Sequence, residues 1–422
     1  MSRNGGQVVI VGTGIGGATA AETLRKGGFA GSIVLVGDDP AAPYRRPMVS
    51  KELLSGAVGV EKARLKPEMF WADATIELRT GVTARAVDTA SACVELDDGA
   101  QLAYDALILA TGGRPRRLDS LLPDADTLRH LHDAARLRQI LDRVGATGTV
   151  PRVLVVGGGL VGLEAAATVR TLGADVVVLE TADRVLGRVV PAEISASYER
   201  LHRDRGVSVH TGTRLASAHQ ENGRTRVFAE DGREWVADVV IVAVGMTPAT
   251  ELAVGAGLMV DDGIVVDEFG ATSAAGVYAV GDVARVPNRI LGGTDRIEHW
   301  NHAQAHGAAV ARTVLGARVP YEEVPWCWTN QFGRNLQIAG WPAHGTESIV
   351  YGDIDAGPFL TLTLSEDRLV GVLGVGRPRD VRAAQTLIKN GPYLPRAALA
   401  ADDIDLVELA SAPQHFAATA RE

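Results

Sequence analysis

Two glycine clusters carry the most specific chemistry in this chain. Gly12-Thr13-Gly14-Ile15-Gly16-Gly17 and Gly157-Gly158-Gly159-Leu160-Val161-Gly162 each follow a short β-branched run and open a stretch of small and apolar residues at helical spacing. A strand that turns through glycine into a helix lets the backbone approach a pyrophosphate, whose charge the N–H groups at the helix N-terminus receive. Gly12, Gly14 and Gly17 are the expected contacts in the first cluster, and Gly157, Gly159, Leu160, Val161 and Gly162 in the second. Each cluster also has an acid where the following strand ends, Asp38 with Asp39 in the first and Glu180 in the second. A carboxylate at that point accepts hydrogen bonds from ribose hydroxyls, so two dinucleotides are implied. Glu180 adds selectivity, because it can accept both ribose hydroxyls of NAD but repels the phosphate that distinguishes NADP. NADH is therefore expected over NADPH. The competing reading is a solvated strand-end acid, with Arg184 and Arg188 close enough in sequence to soften the repulsion.

Other reactive side chains are few. The only cysteines are Cys93 and Cys327, which excludes a disulfide framework, a CxxC redox pair and a thiolate metal cage. Cys327 is a redox thiol or, as apolar-flanked lone cysteines more often are, a small core residue. His299, His302 and His306 share a helical face and would suit a metal. Without a carboxylate or cysteine at the matching position they read better as a polar helix face, and no metal is expected.

The elements that must hold these residues follow from hydrophobic pattern. Val8–Val11, Ile33–Val36, Leu107–Ala110, Val153–Val156, Val176–Leu179 and Val239–Val242 read as buried parallel strands. Helices over Ile15–Lys26 and Gly162–Leu172 complete two βαβ units, an internal repeat too widely spaced for a solenoid. From about Tyr321 the pattern changes. Phe359 to Leu364 alternates, Ser365-Glu366-Asp367-Arg368 turns, and Leu369 to Val375 returns, so an antiparallel hairpin is expected there, with a helix over Asp380–Lys389. The domain division read from this is 1–118 with 246–320, 119–245, and an α+β region at 321–422.

Composition limits the function classes. The 422 residues carry 42 Lys and Arg against 51 Asp and Glu, a net charge of -9. That balance disfavours nucleic acid and anionic membrane as partners. Hydrophobic residues reach 46% and charged ones 22%, enough for large cores. The opening Met1-Ser2-Arg3-Asn4-Gly5-Gly6 shows neither a signal peptide nor a span, so a cytoplasmic location is expected.

Two further turns point to FAD as the first dinucleotide. Leu107-Ile108-Leu109-Ala110-Thr111-Gly112-Gly113 ends a strand in Ala-Thr-Gly, and Gly276-Val277-Tyr278-Ala279-Val280-Gly281-Asp282 ends one in Gly-Asp. These resemble motifs of the two-dinucleotide flavoproteins, whose Gly-Asp aspartate holds the flavin ribityl chain; Asp282 matches it, with a helix N-cap as the alternative. Where a disulfide reductase carries its cysteine pair, this chain has Pro43-Tyr44-Arg45-Arg46-Pro47-Met48-Val49-Ser50-Lys51. That segment, together with Gly159 to Glu164, Pro325 to Gln331 and Arg377-Pro378-Arg379-Asp380, resembles the NADH-dependent ferredoxin reductases of oxygenase systems, of the putidaredoxin reductase and biphenyl dioxygenase reductase type.

The resemblance covers nearly the whole chain and implies an α/β fold of glutathione-reductase-like architecture, with two Rossmann-like domains for FAD and NAD and a C-terminal α+β domain. It implies an FAD-dependent ferredoxin–NAD(+) reductase that takes hydride from NADH and passes single electrons to a [2Fe-2S] ferredoxin serving a haem monooxygenase or a ring-hydroxylating dioxygenase. Lys51 would lie beside flavin N5 and pair with Glu164, the pairing keeping the buried ammonium charged; the alternative is a surface lysine. Arg46, Arg129, Trp300 and Trp328 would contact FAD, and Val82, Ala110, Thr111, Gly112, Arg188 and Gly245 complete the cofactor-binding set. For Arg129 the alternative is a surface salt bridge, and for the tryptophans, core. The flavin has no histidine or cysteine near the glycine turn to attach to, so non-covalent binding is expected. A transient electrostatic ferredoxin complex is implied, with Arg312, Arg318 and Arg334 as the basic patch beside Trp326 and Trp328, and a monomer or weak dimer. Met48-Val49, Cys327, Asn330 and Gly333 depart from the family pattern, the last two by loss of acids. Competing functions are a rubredoxin or nitrite-reductase-type electron donor and an NADH sensor resembling apoptosis-inducing factor.

Overall fold

The computed structural model describes residues 5–391, 394, 396–399 and 404–411. Met1 to Asn4 of the opening segment and parts of the expected 321–422 region, 412–422 among them, lie outside the described residues. The chain forms two compact units, one of Met1–Pro47, Gly59–Arg114 and Met246–Glu323, the other of Met48–Val58, Pro115–Gly245 and Val324–Glu422.

The first unit is built on a five-stranded parallel sheet in the order Val277–Ala279, Ala106–Leu109, Gln7–Val11, Ser32–Gly37, Ile76–Thr80. Strand residues such as Val8, Val9 and Ile10 are wholly buried, each contributing about 1.5–3 kcal/mol, which is why the β-branched runs fold as central strands covered on both faces. The helix Ile15–Lys26 buries Gly16, Gly17, Ala18, Ala20, Ala21 and Leu24. Small residues on that face admit a second helix, Trp300–Val314, so closely that a Cβ on Gly307 would stand 2.2 Å from the Gly16 carbonyl oxygen. An antiparallel meander, Ala84–Asp88, Cys93–Leu96 and Gln101–Ala103, stands apart from the parallel sheet and was not legible in the hydrophobic pattern.

The second unit holds a four-stranded parallel sheet ordered Val207–His210, Asp175–Leu179, Arg152–Val156, Val239–Val242. Its motif helix runs Leu160–Thr171, beginning two residues before the expected start because Leu160 and Val161 already form its first turn. The C-terminal part is a five-stranded antiparallel sheet, Trp326–Gln331, Arg334–Gly340, Arg368–Val375, Phe359–Ser365, Glu347–Gly352. The expected hairpin forms its centre, and the helix Pro378–Asn390 buries Val381, Ala384, Leu387 and Ile388. This region is α+β, whereas each of the two parallel sheets is α/β.

Candidate active site

In the first unit the glycine motif leaves one open position. A Cβ on Gly12 would meet the Ala110 oxygen at 2.1 Å, and one on Gly17 would meet the Gly12 oxygen at 2.0 Å, whereas at Gly14 nothing lies within 4 Å. The outer glycines are fixed by the fold, and Gly12 also has φ +119°, which side chains rarely adopt. Nothing in the protein requires the middle one, and no side chain caps the helix that follows; uncapped N–H groups facing open space are what a pyrophosphate needs. The second motif repeats this. Gly157 and Gly162 would clash with Ala243 and Gly157 at 2.4 and 2.0 Å, Gly159 is open, and Val161 is 44% exposed on an uncapped helix. Both sites fit a dinucleotide.

The Ala110-Thr111-Gly112 turn abuts Gly12 and is tied by the Thr111 hydroxyl, which donates to the Ala249 carbonyl at 2.7 Å. Asp39 is buried and already engaged: its carboxylate accepts from the Ala41 N–H at 3.1 Å and the Tyr44 hydroxyl at 2.9 Å, with Arg46 3.7 Å away. Arg46 also lies over the Tyr44 ring. Asp38, by contrast, is exposed, so of the two acids it is the one turned outward. Val82 is half-buried, its N–H bonded to the Gly37 carbonyl at 3.0 Å. Asp282 is half-buried in the single turn Gly281–Val283, and Val280 occupies the N-cap, so the capping alternative is overturned.

Trp300 opens its helix, followed by His302 and His306. These two histidines are wholly buried and do not form the expected polar face. The Gly281 N–H donates to His306 Nδ1 at 3.3 Å, Tyr321 pairs its hydroxyl with His302 Nδ1 at 2.9 Å, and its ring stacks on His306. Burial pulls the His306 ring down to about 3 and lowers His302 and His299 as well. The face is therefore neutral and packed, because helix and tyrosine enclose it.

The second unit brings Lys51 and Glu164 together. Glu164 is buried on the motif helix, one turn past its first residue Leu160. Its Oε2 accepts from Lys51 Nζ at 2.7 Å and Ser50 Oγ at 2.5 Å, and its Oε1 from Thr329 Oγ1 at 2.8 Å. Thr168, one turn further along, donates to the Ser50 carbonyl at 2.8 Å, so the helix grips the Ser50-Lys51 segment at two points. Lys51 keeps only 13% side-chain exposure and is no surface lysine. Behind Thr329 lies Gln331, whose Nε2 donates to Thr329 Oγ1 at 3.0 Å, and then His202, 2.8 Å from Gln331 Oε1. Ser50, Thr329 and Gln331 sit inside segments singled out in the sequence without being given roles; His202, on the helix Ala192–Asp204, carried no signal at all.

Strand alternation divides Trp326–Gln331 by face. Cys327, Thr329 and Gln331 are buried, while Trp326 and Trp328 stand nearer solvent with ring centroids 5.9 Å apart. Burial, and then the Glu164 charge, push the Cys327 thiol up to about 12, as befits a core residue. Phe332 and Gly333 both have positive φ, +52° and +81°, in the two-residue turn that joins the next strand, a conformation that accounts for glycine at 333. Arg334, expected in the basic patch, is half-buried. Its guanidinium lies between the Tyr198 and Phe359 rings and donates to Ser197 Oγ at 3.1 Å. Arg312 is exposed, and Arg318 lies over Phe269.

Glu180 receives the Gly158 N–H on Oε2 at 2.7 Å and the Ala182 N–H on Oε1 at 2.8 Å. Arg184 is committed to the carbonyls of Val190 and Gly187 and cannot soften a phosphate contact. Arg188 is exposed, with a guanidinium nitrogen 3.6 Å from where a Cβ on Gly245 would be. Arg129 is half-buried and its N–H donates to Asp133 Oδ2 at 2.7 Å.

The sequence pattern of the family described as pyridine nucleotide-disulphide oxidoreductase matches residues 6–307, and that of the reductase C-terminal region matches 326–410. The ferredoxin–NAD(+) reductase subunit of the benzene 1,2-dioxygenase system of Pseudomonas putida is 37% identical over 90% of this chain and 92% of its own. The putidaredoxin reductase in a covalent complex with putidaredoxin is similar at TM-score 0.91 and 35% identity, covering 97% of this chain and 99% of that one. The ferredoxin reductase of the CYP199A2 system of Rhodopseudomonas palustris is similar at TM-score 0.90 and 33% identity, covering 96% and 99%. The chain belongs to the pyridine nucleotide-disulphide oxidoreductase family, within its ferredoxin–NAD(+) reductases. Its activity is FAD- and NADH-dependent electron transfer to ferredoxin, without the cysteine pair of the family's disulphide reductases. Among the described residues no helix is long and apolar enough to cross a membrane.

Proposed function

We propose that the second glycine motif binds NADH, with Glu180 taking the ribose hydroxyls, and that the first binds FAD together with Asp38, Arg46, Val82, the Ala110 to Gly112 turn and Asp282. FAD, when bound, accepts a hydride and releases its electrons singly. Lys51 holds a positive charge beside the reacting ring, and Glu164 holds Lys51. Arg129, Trp300 and Trp328 complete the flavin contacts, and Arg188 and Gly245 the nicotinamide nucleotide contacts. Residues 1–118 with 246–320 serve FAD, 119–245 NAD, and 321–422 the partner. The observation that carries this reading is the Lys51–Glu164 pair, 2.7 Å apart and one turn inside the helix that opens on the second motif. An ion pair that deep stabilises the fold little compared with an apolar pair, and its place on the dinucleotide helix suits a charge held for the reaction.

The [2Fe-2S] ferredoxin docks transiently and electrostatically on a monomer or weak dimer, with Arg312 and Arg318 supplying positive charge against the net -9. The terminal enzyme is a haem monooxygenase or ring-hydroxylating dioxygenase. Stopped-flow reduction by NADH, followed by transfer to a panel of [2Fe-2S] ferredoxins and a rubredoxin, tests the whole reading. Fast reduction and ferredoxin turnover are expected. Transfer to rubredoxin alone, or slow oxidation without transfer, would replace this reading by a different donor role or by NADH sensing.

A further inference from the structure

The buried groups behind Glu164 form a single file with one direction. A carboxylate can only accept, so Thr329 must donate its hydroxyl proton to Glu164 Oε1. The Thr329 oxygen is then left to accept, and the Gln331 amide N–H supplies the proton at 3.0 Å. This turns Gln331 Oε1 toward His202 at 2.8 Å, where it can only accept, so His202 carries its proton on Nε2. Glu164, Thr329, Gln331 and His202 are all buried, three of them at 0% exposure, so water has little access to break the sequence. His202 Nδ1 is buried without a hydrogen-bond partner among the described residues; nothing on the far side of the ring competes for its tautomer. Burial, opposed by the Gln331 bond, lowers the proton affinity of His202 and keeps the ring neutral.

We infer that Gln331 and His202 are positioning residues for the Lys51–Glu164 pair, and that the file Glu164–Thr329–Gln331–His202 has two polarities, set by whether the residue at 164 accepts or donates toward Thr329. This rests on the reading of Lys51 and Glu164 as the charge pair of the reaction. With an accepting carboxylate the file runs from His202 toward Glu164, and three donors, Lys51, Ser50 and Thr329, hold the anion. With a donor at that oxygen the Thr329 hydroxyl must point the other way, the Gln331 amide must turn over, and His202 must accept at Nε2 and carry its proton on Nδ1. The intermediate arrangement, in which Thr329 accepts from both sides, leaves its hydroxyl proton without a partner in a dry site, and a half-turned Gln331 sets like groups face to face, both of which are costly. The charge state of the pair and the orientation of a ring three side chains away are thus one variable.

Glu164→Gln provides the donor. Lys51 and Ser50 both donate to the same oxygen, so the amide of this variant must present its oxygen to them and its NH2 to Thr329. The test is the ring tautomer of His202 in FAD-loaded protein carrying 15N-histidine, assigned by the signal lost in His202→Gln. Wild type is expected to show a protonated Nε2 and a bare Nδ1, and Glu164→Gln the reverse. In Thr329→Val, which keeps shape and loses the hydroxyl, the tautomer should no longer respond to Glu164→Gln. The rate of flavin reduction by NADH should fall about tenfold in Thr329→Val, with NADH affinity within twofold, and return in Thr329→Ser. An unchanged His202 tautomer in Glu164→Gln overturns the two-polarity file, and wild-type reduction in Thr329→Val overturns the positioning role. If instead Glu164→Gln reduces at the wild-type rate, the reading of the charge pair fails, while the tautomer measurement still judges the file.

Discussion

Replacing Glu180 by alanine should collapse the preference for NADH over NADPH, and the geometry sets the size of the change. Each carboxylate oxygen already accepts one backbone N–H, from Gly158 and from Ala182. Oε2 retains capacity for one more donor, and Oε1, which also receives the Thr181 hydroxyl at 3.3 Å, can exchange that long contact for another, so the carboxylate can serve the two hydroxyls of an unphosphorylated ribose. A 2′-phosphate has no proton to give there and meets a like charge. A hydrogen bond to a charged group is worth about 1.5–3 kcal/mol, so losing one selective contact lowers kcat/KM for NADH about 10–150-fold. Relief of repulsion leaves NADPH unchanged or improved. The assay is steady-state kcat/KM with each cofactor at fixed ferredoxin, with FAD content checked by absorbance. The Gly158 and Ala182 bonds give the experiment its sharp alternative. If both cofactors lose equally, Glu180 is a brace for the glycine loop and some other residue selects the nucleotide.

The two kinds of glycine should separate in the same way: Gly14→Ala is expected to melt like wild type yet retain little FAD on gel filtration, whereas Gly12→Ala loses thermal stability outright. Gly159→Ala should raise the KM for NADH while FAD content stays whole. Glu164→Ala leaves a nearly buried ammonium unpaired and should cost about 3–5 kcal/mol in urea unfolding, much of it recovered when Lys51→Met is added; equal stability of single and double variants would deny that the unpaired charge is the cause. Arg312→Glu with Arg318→Glu should raise the KM for ferredoxin at low salt and leave flavin reduction by NADH intact; unaltered turnover would place the docking surface elsewhere.

Strands and helices with one strong period were legible in the sequence. Val8 to Val11 and Ile15 to Lys26 fold as their patterns require, since parallel strands and small-faced helices announce themselves locally. The meanders Ala84–Ala103 and Leu215–Ala237 were not, because they bury few residues: Leu215–Glu221 buries none, Ala84–Asp88 only Val87, and the alternation in Cys93–Leu96 and Gln101–Ala103 spans only three or four residues. The same distinction holds in the site. Lys51 and Glu164 could be found through motifs, whereas His202 sits on a helix whose polar and apolar residues give no hint that this one ring faces a glutamine from a distant strand. Arg334 misled for a related reason. A charged residue at a hairpin turn reads as surface, and only the aromatic rings of Tyr198 and Phe359 turn it inward.

Glu164 draws its partners from both ends of the chain, and this imposes an order on biosynthesis. Ser50 and Lys51 have left the ribosome well before the glutamate is made, but Thr329 is 165 residues further on. At about 5–20 residues per second, the carboxylate waits roughly 8–33 s for its third donor. The folding hypothesis that follows is that the nascent second unit stays open to solvent around Glu164 until the strand Trp326–Gln331 emerges, and protease digestion of stalled nascent chains should show protection appearing only past that length.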